Sequence, residues 1–320
     1  MTPFLALFWQ TPGGRRRPET GWTGSTFEGL WVAGVLAFGV FEYDDRAQLW
    51  KSDGTSAGTQ LVRDFGPGST QPYSQGAYLT AVGGGVFGVL RTDAGGPSDT
   101  GYELFYSDLN EANSAGTHLV KDINPGPHDS YPASLLPFEG KLYFAADDGQ
   151  YGTELWVSDG SAGGTQMVKD IVSSPSGVGS YPTDLTLGNG EFFFGALNPG
   201  VDSDPSTGVD NRVELWKSNG TTGGTVLVHQ FAVGTSPPSG LDGDPQLTYI
   251  PETGKLFGVV EFPDGAARSQ DLVCWDGTAI PPAMHQWNLN PGGDDQVGNL
   301  SPAFGLLGFA ADDGVNAGGG

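Results

Sequence analysis

Chemistry in this chain has to come mainly from oxygen side chains, because other reactive groups are scarce. The 320 residues include one cysteine and four histidines. The tightest set of oxygen ligands is Asp202, Asp204, Ser206 and Asp210, in the run Asp202-Ser-Asp-Pro-Ser-Thr-Gly-Val-Asp210. Oxygen side chains alternating around a glycine suit Ca²⁺, which takes about six to eight oxygen ligands. The run is therefore a candidate calcium loop, with Ca²⁺ as the candidate cofactor. Its spacing is not that of an EF-hand, since Gly208 falls one place late and Pro205 stiffens the backbone. The competing reading is a polar hairpin loop.

The remaining candidates are weaker. His118, His128, His229 and His285 share no metal-ligand spacing such as i, i+4. His118 and His229 fall on predicted outer strands, where a solvated edge position explains them. Asp147-Asp148, Asp294-Asp295 and Asp312-Asp313 sit before or within glycine turns. Adjacent residues on a strand point to opposite faces, so these pairs read as turn formers rather than a cooperating acid and base. No nucleophile elbow, P-loop or dinucleotide fingerprint is present. Cys274 stands alone, which excludes an intrachain disulfide.

The formal charge of −23 excludes classes of partner. Nucleic acid is gripped by clustered Lys and Arg, and anionic membranes attract the same residues. The one basic run, Arg15-Arg16-Arg17, lies between glycine and proline and reads as a solvated loop. No stretch reaches the ~18 apolar residues of a membrane helix, so membrane insertion is not expected. Phe4–Trp9 is too short for a signal h-region, and its positive charges follow instead of preceding it; no export signal is expected there. Glycine and proline make up close to a quarter of the chain, yet 11% of residues are aromatic and only 16% charged. That apolar mass can build a core, which makes the glycines and prolines turn punctuation.

The elements that must position any site come from a repeat. Leu49-Trp50-Lys-Ser-Asp53-Gly54-Thr55 leads to Gly58-Thr59-Gln-Leu-Val62-Arg63-Asp64, and the pattern returns at Glu154–Asp170 and Glu214–His229. A fourth copy spans Glu103–Asp122 with extra residues, and Leu272–Thr278 keeps only the first half. Ahead of each stands an aromatic, small, apolar run, at Phe38, Phe87, Phe144, Phe194, Phe257 and Phe309, with a mean period of about 54 residues. Each unit reads as four short strands separated by Asp-Gly or Asn-Gly turns. The first strand follows Ser-Tyr-Pro at 130–132 and 180–182. Four strands per repeat, with no sustained helical periodicity, predict an all-β β-propeller of about six four-stranded blades. The expected units are 34–65, 83–123, 140–171, 190–231 and 254–280 in a single 1–320 domain. A closing unit from 304–314 plus 4–13 would join the two ends of the chain. Arg63, Lys121 and Lys169 recur on the fourth strand, where charge blunts an outer edge.

The run Glu-Leu-Trp-x-Ser-Asp-Gly-Thr-x-x-Gly-Thr-x-Leu-Val-Lys-Asp at 48–65, 103–123, 154–171 and 214–228 resembles the ELWxxDGT repeat proteins. The resemblance implies secreted or surface-attached bacterial proteins with propeller folds, and it carries no catalytic residues. The Ser-Asp-Gly-x-x-x-Gly-Thr turns also resemble the Asp boxes of sialidase-like propellers, whose side chains brace a hairpin. These likenesses imply an extracellular or cell-surface location. They favour a non-enzymatic interaction or structural module meeting a protein or glycan through one propeller face. The alternative is a calcium-assisted hydrolase or lyase with a site in the central funnel. Unlike titratable side chains gathered at the inner ends of the strands would support the alternative, and a lining of Gly, Ser and aliphatic residues would defeat it.

Overall fold

The computed structural model describes residues 29–42, 46–69, 79–110, 116–173, 177–198, 212–231, 247–264, 267–275, 284–287 and 298–310. Among them there is no helix. The first sheet holds β1 (Gly29–Val32), β2 (Val35–Glu42), β3 (Arg46–Ser52) and β4 (Gln60–Pro67). The second holds β5 (Leu79–Val82), β6 (Gly85–Arg91), β7 (Tyr102–Ser107) and β8 (Thr117–Leu119). The third holds β9 (Ala133–Phe138), β10 (Lys141–Asp147), β11 (Thr153–Ser158) and β12 (Gln166–Lys169). The fourth holds β13 (Thr183–Gly188), β14 (Glu191–Asn198), β15 (Arg212–Ser218) and β16 (Val226–Gln230). The fifth holds β17 (Leu247–Ile250), β18 (Lys255–Asp264), β19 (Ala267–Trp275) and β20 (Met284–Trp287). A two-stranded sixth holds β21 (Gly298–Ala303) and β22 (Leu306–Ala310).

Each four-stranded sheet is an antiparallel meander in chain order. The first strands of successive sheets lie side by side, β1 by β5, then β9, β13, β17 and β21. The molecule is therefore an all-β propeller with the first strand of each blade innermost. Two details differ from the sequence expectation. The fifth sheet is complete, because β20 supplies the fourth strand beyond the point where the Leu272–Thr278 motif fades. The sheets also take in a first strand ahead of the units read from the sequence. Residues 4–13 of the expected closing unit lie outside the described residues.

The core is a series of wedges between sheets. Alternation along a strand sends neighbouring residues to opposite faces, so Leu and Trp of the Glu-Leu-Trp run part company. Leu155 packs toward the fourth sheet beside Tyr143 and Val168, facing Phe192, Phe194, Ala196 and Trp216. Trp156 packs the other way with Leu142 and Phe144, against Phe87, Leu104 and Val120 of the second sheet. Register explains the pairing: Phe144 stands opposite Trp156, Phe194 opposite Trp216 and Phe38 opposite Trp50.

Here the aromatic, small, apolar alignment needs correction in two sheets. Phe105, at the Trp position of the second sheet, faces Gly88. In the fifth sheet Gly258 faces Val273, and Trp275 stands opposite Leu256 at the place that Ser158 and Ser218 hold elsewhere. Phe87 and Phe257 are thus one residue out of step with Phe144. A one-residue slip moves a side chain to the other face of its sheet.

The recurring turn between third and fourth strands is built as its chemistry predicts. In the third sheet Gly160 N donates to Ser158 Oγ at 3.1 Å, and Ser161 N donates to Asp159 Oδ1 at 2.9 Å. Ser158 Oγ meets Thr165 Oγ1 at 2.7 Å, and Thr165 Oγ1 also bonds Ser161 O. The first and fourth sheets repeat this set around Asp53 and Asn219. A Cβ on Gly164 would collide with the Asp159 carboxylate, which the Ser161 amide and hydroxyl hold in place.

Candidate active site on the loop face

The Ser-Asp-Gly turns and the hairpins joining first and second strands share one end of each sheet. The opposite end carries the connections from second to third strand and the crossovers between sheets. Loops on such a face converge around the axis and are the usual carriers of function. Two crossovers, Ser130-Tyr131-Pro132 and Ser180-Tyr181-Pro182, deliver the chain to β9 and β13.

Both crossovers are pinned by the glutamate of the repeat. Glu103 and Glu154 are fully buried. The Ser130 hydroxyl donates to Glu103 at 2.6 Å, and the amides of Ser130, Ile123 and Asn124 donate at 3.2, 3.1 and 3.3 Å. Ser180 and the amides of Ile171 and Val172 repeat the arrangement on Glu154. Burial pushes Glu103 up to about 7, against the downward pull of the Ser130 hydroxyl and the Ile123 and Asn124 amides. Burial also raises Glu154. These carboxylates have their lone pairs spent on the backbone, so they hold the crossovers in place. Their one trace in the sequence is a charge recurring within an otherwise apolar strand run.

The pins hold an unusual backbone. Tyr131 and Tyr181 have φ of 45° and 47°, a region disfavoured for a bulky L-residue. Both rings are turned out to solvent, at 58% and 47% exposure. Strained residues of this kind gather at functional sites when the surroundings over-determine them, and the Glu–Ser bonds supply that constraint.

Around Tyr131 unlike titratable groups meet. Arg91, at the end of β6, forks onto Asp99 with Nε at 2.9 Å and Nη2 at 2.6 Å. That guanidinium holds Asp99 well below the usual carboxylate range, and Asp99 in turn raises Arg91. Asp99 also accepts from Gly95 N and Gly101 N. Arg91 Nη1 lies 3.8 Å from Asp129. Asp129 accepts the Tyr102 amide at 2.8 Å. The Asp129 carboxylate lifts the Tyr131 phenol above its ordinary pKa. Tyr131 stacks on Tyr102 with ring centroids 6.0 Å apart, and Arg91 sits 5.9 Å from the Tyr102 ring centre. The result is an exposed aromatic plate with a largely buried carboxylate, its side chain 16% exposed, and a held cation at its edge.

The residues singled out from the sequence fare differently. Asp202, Asp204, Ser206 and Asp210 lie outside the described residues. Among the described residues no group of three His, Cys, Asp or Glu could hold a metal. Asp147 and Asp148 are turn formers, accepting from the amides of Gly149, Gln150 and Tyr151. His118 bonds Gly160 O of the next sheet at 3.0 Å, and His229 packs edge-on against Phe231 with its pKa lowered by burial; neither is a plain solvated edge. Lys121 and Lys169 also do more than blunt an edge. Each reaches the next sheet, donating to Thr165 O and Thr225 O and lying 5.5 and 5.4 Å from the ring centres of Trp156 and Trp216. No described helix is long and apolar enough to cross a membrane.

No protein-family model matches the chain, and no curated protein matches it. Solved structures do. Puromycin hydrolase is 14% identical over 72% of this chain and 32% of its own, with a TM-score of 0.36. Oligopeptidase B from Leishmania major is 14% identical over 79% and 32%, with a TM-score of 0.39. The α-L-arabinofuranosidase CtGH43 from Clostridium thermocellum is 12% identical over 82% and 92%, with a TM-score of 0.32. The chain spans about a third of the length of the first two. The expectation of a non-enzymatic module is corrected at this point: the matched proteins are enzymes. At such identities the likeness itself speaks to fold alone.

Proposed function

We propose that the protein is a hydrolase or lyase acting on carbohydrate, with its substrate laid over Tyr131 and Asp129 on the loop face. One observation carries the reading: Arg91, Asp99, Asp129, Tyr102 and Tyr131 bring unlike titratable side chains together at the loop-face ends of β6 and β7 and in the crossover to β9. An exposed tyrosine ring offers a flat apolar surface to the C–H face of a sugar. Asp129 is the proposed general base, held between the Tyr102 amide and Arg91, which keeps a positive charge beside the carboxylate. Asp99 is tied to Arg91 and positions it. The candidate Ca²⁺ loop at Asp202, Asp204, Ser206 and Asp210 belongs to this proposal as the metal-assisted part. Membership of the ELWxxDGT repeat family, with an extracellular or surface location, belongs to it through the motif resemblance.

The test is turnover by the purified chain on a panel of neutral and acidic polysaccharides, with and without Ca²⁺. New reducing ends without unsaturated products identify a hydrolase; ultraviolet absorbance from an unsaturated product identifies a lyase. Asp129→Asn is expected to lower the rate at least about 100-fold with the fold intact. Absence of turnover on the whole panel, or an Asp129→Asn protein as active as the parent, overturns the proposal.

A further inference from the structure

The wedges between sheets are not equally filled. At the two facing positions that matter, the third and fourth sheets present Phe144 with Trp156 and Phe194 with Trp216. The second sheet presents Gly88 with Phe105, and the hollow beside it measures about 10 Å³. The fifth presents Gly258 with Val273, and the hollow between it and the fourth sheet measures about 80 Å³. Lost ring volume tracks the space left. Trp275, displaced to the serine position by the register, lies with its ring 4.9 Å from that of Phe193 and fills part of the gap.

We propose that this hollow is a binding site for a small apolar ligand, of single-ring size, carrying one hydrogen-bond acceptor. It is separate from the Asp129 site and does not depend on it. The walls include Val213, Leu215, Phe231, Leu256, Val259 and Val273. An apolar cavity stays dry and takes up apolar guests, because its walls lack the dispersion contacts that a filled wedge has. Trp275 also lines the hollow, and its buried indole N–H has no hydrogen-bond partner among the described residues. A buried donor left unpaired is costly, and a guest acceptor would relieve it. Tyr181, Thr183 and Asp184 lie at the innermost-strand side, where a ligand's polar end would meet the loop face.

The test uses phenol and benzene as probes on the whole chain, read by the indole N–H resonances in a ¹H–¹⁵N spectrum and by Tm. Phenol is expected to move the Trp275 resonance, leave those of Trp156 and Trp216 in place, and raise Tm. Benzene, lacking the acceptor, is expected to raise Tm less. Val273→Trp restores the repeat's own residue and is expected to abolish both responses. If Val273→Trp does not fold, Val273→Leu replaces it and is expected to weaken the phenol response at least about fivefold. An unmoved Trp275 resonance at saturating phenol overturns the proposal, as does a response equal to the parent's in the folded variant.

Discussion

The wedge between the third and fourth sheets and the wedge between the fourth and fifth are made from the same strand positions, yet only the first is solid. In the former, Phe192, Phe194 and Trp216 interlock with Tyr143, Leu155 and Val168. In the latter, Gly258 and Val273 leave room, and Val213, Leu215 and Leu256 border it. The difference shows what the Glu-Leu-Trp motif is for. It is an inter-sheet packing code: Trp fills the wedge behind its sheet, Leu the wedge ahead, Glu103 and Glu154 pin the crossovers, and the following turn braces the hairpin. Where the code lapses the fold persists, because the hairpins and ladders are made locally, but the wedge loses density.

The largest test of that contrast is truncation of the two equivalent residues. Trp216→Ala should destabilise by about 4 kcal/mol, whereas Val273→Ala, bordering a space already open, should cost about 1–2 kcal/mol. Urea titration measures both, and equal losses would erase the distinction between solid and hollow wedges. The buried glutamates that pin the crossovers provide the next test. With Glu103 at about 7 in the fold and near 4.5 unfolded, the folded state holds the extra proton between those values. Stability is therefore highest below about pH 4.5 for this group and falls as pH rises toward 7, by about 3 kcal/mol. Denaturation at a series of pH values reads the slope, and Glu103→Gln should flatten it.

Adjacent glycines sharpen the local side of the comparison. Gly164→Ala drives a Cβ into Asp159 and should destabilise by about 2 kcal/mol. Gly163→Ala meets nothing within 4 Å and should be neutral or stabilise by about 0.5 kcal/mol. Thermal melts of the pair decide whether the turn's second glycine is required by that contact. The smallest effect is at Lys169, which joins the third sheet to the solid wedge through Thr225 O and Trp216. Lys169→Met keeps the stem and removes the charge, and should cost about 1 kcal/mol by urea titration.

The local sequence determined the strands, the Asp-Gly and Asn-Gly turns, the four-strand unit and its repetition around an axis. Each of these depends on residues a few places apart, such as Ser158, Asp159, Gly164 and Thr165 in one hairpin. Tertiary structure decided the rest. The slip that puts Gly258 opposite Val273 is set by pairing between strands, and a shift of one residue exchanges core face for the opposite face. Glu103 meets Ser130, and Lys169 meets Trp216, only after neighbouring sheets have docked. Arg91, Asp99, Asp129 and Tyr131 become one site because two connections from different sheets end on the same face, and a contact across that separation leaves no periodic trace in the chain.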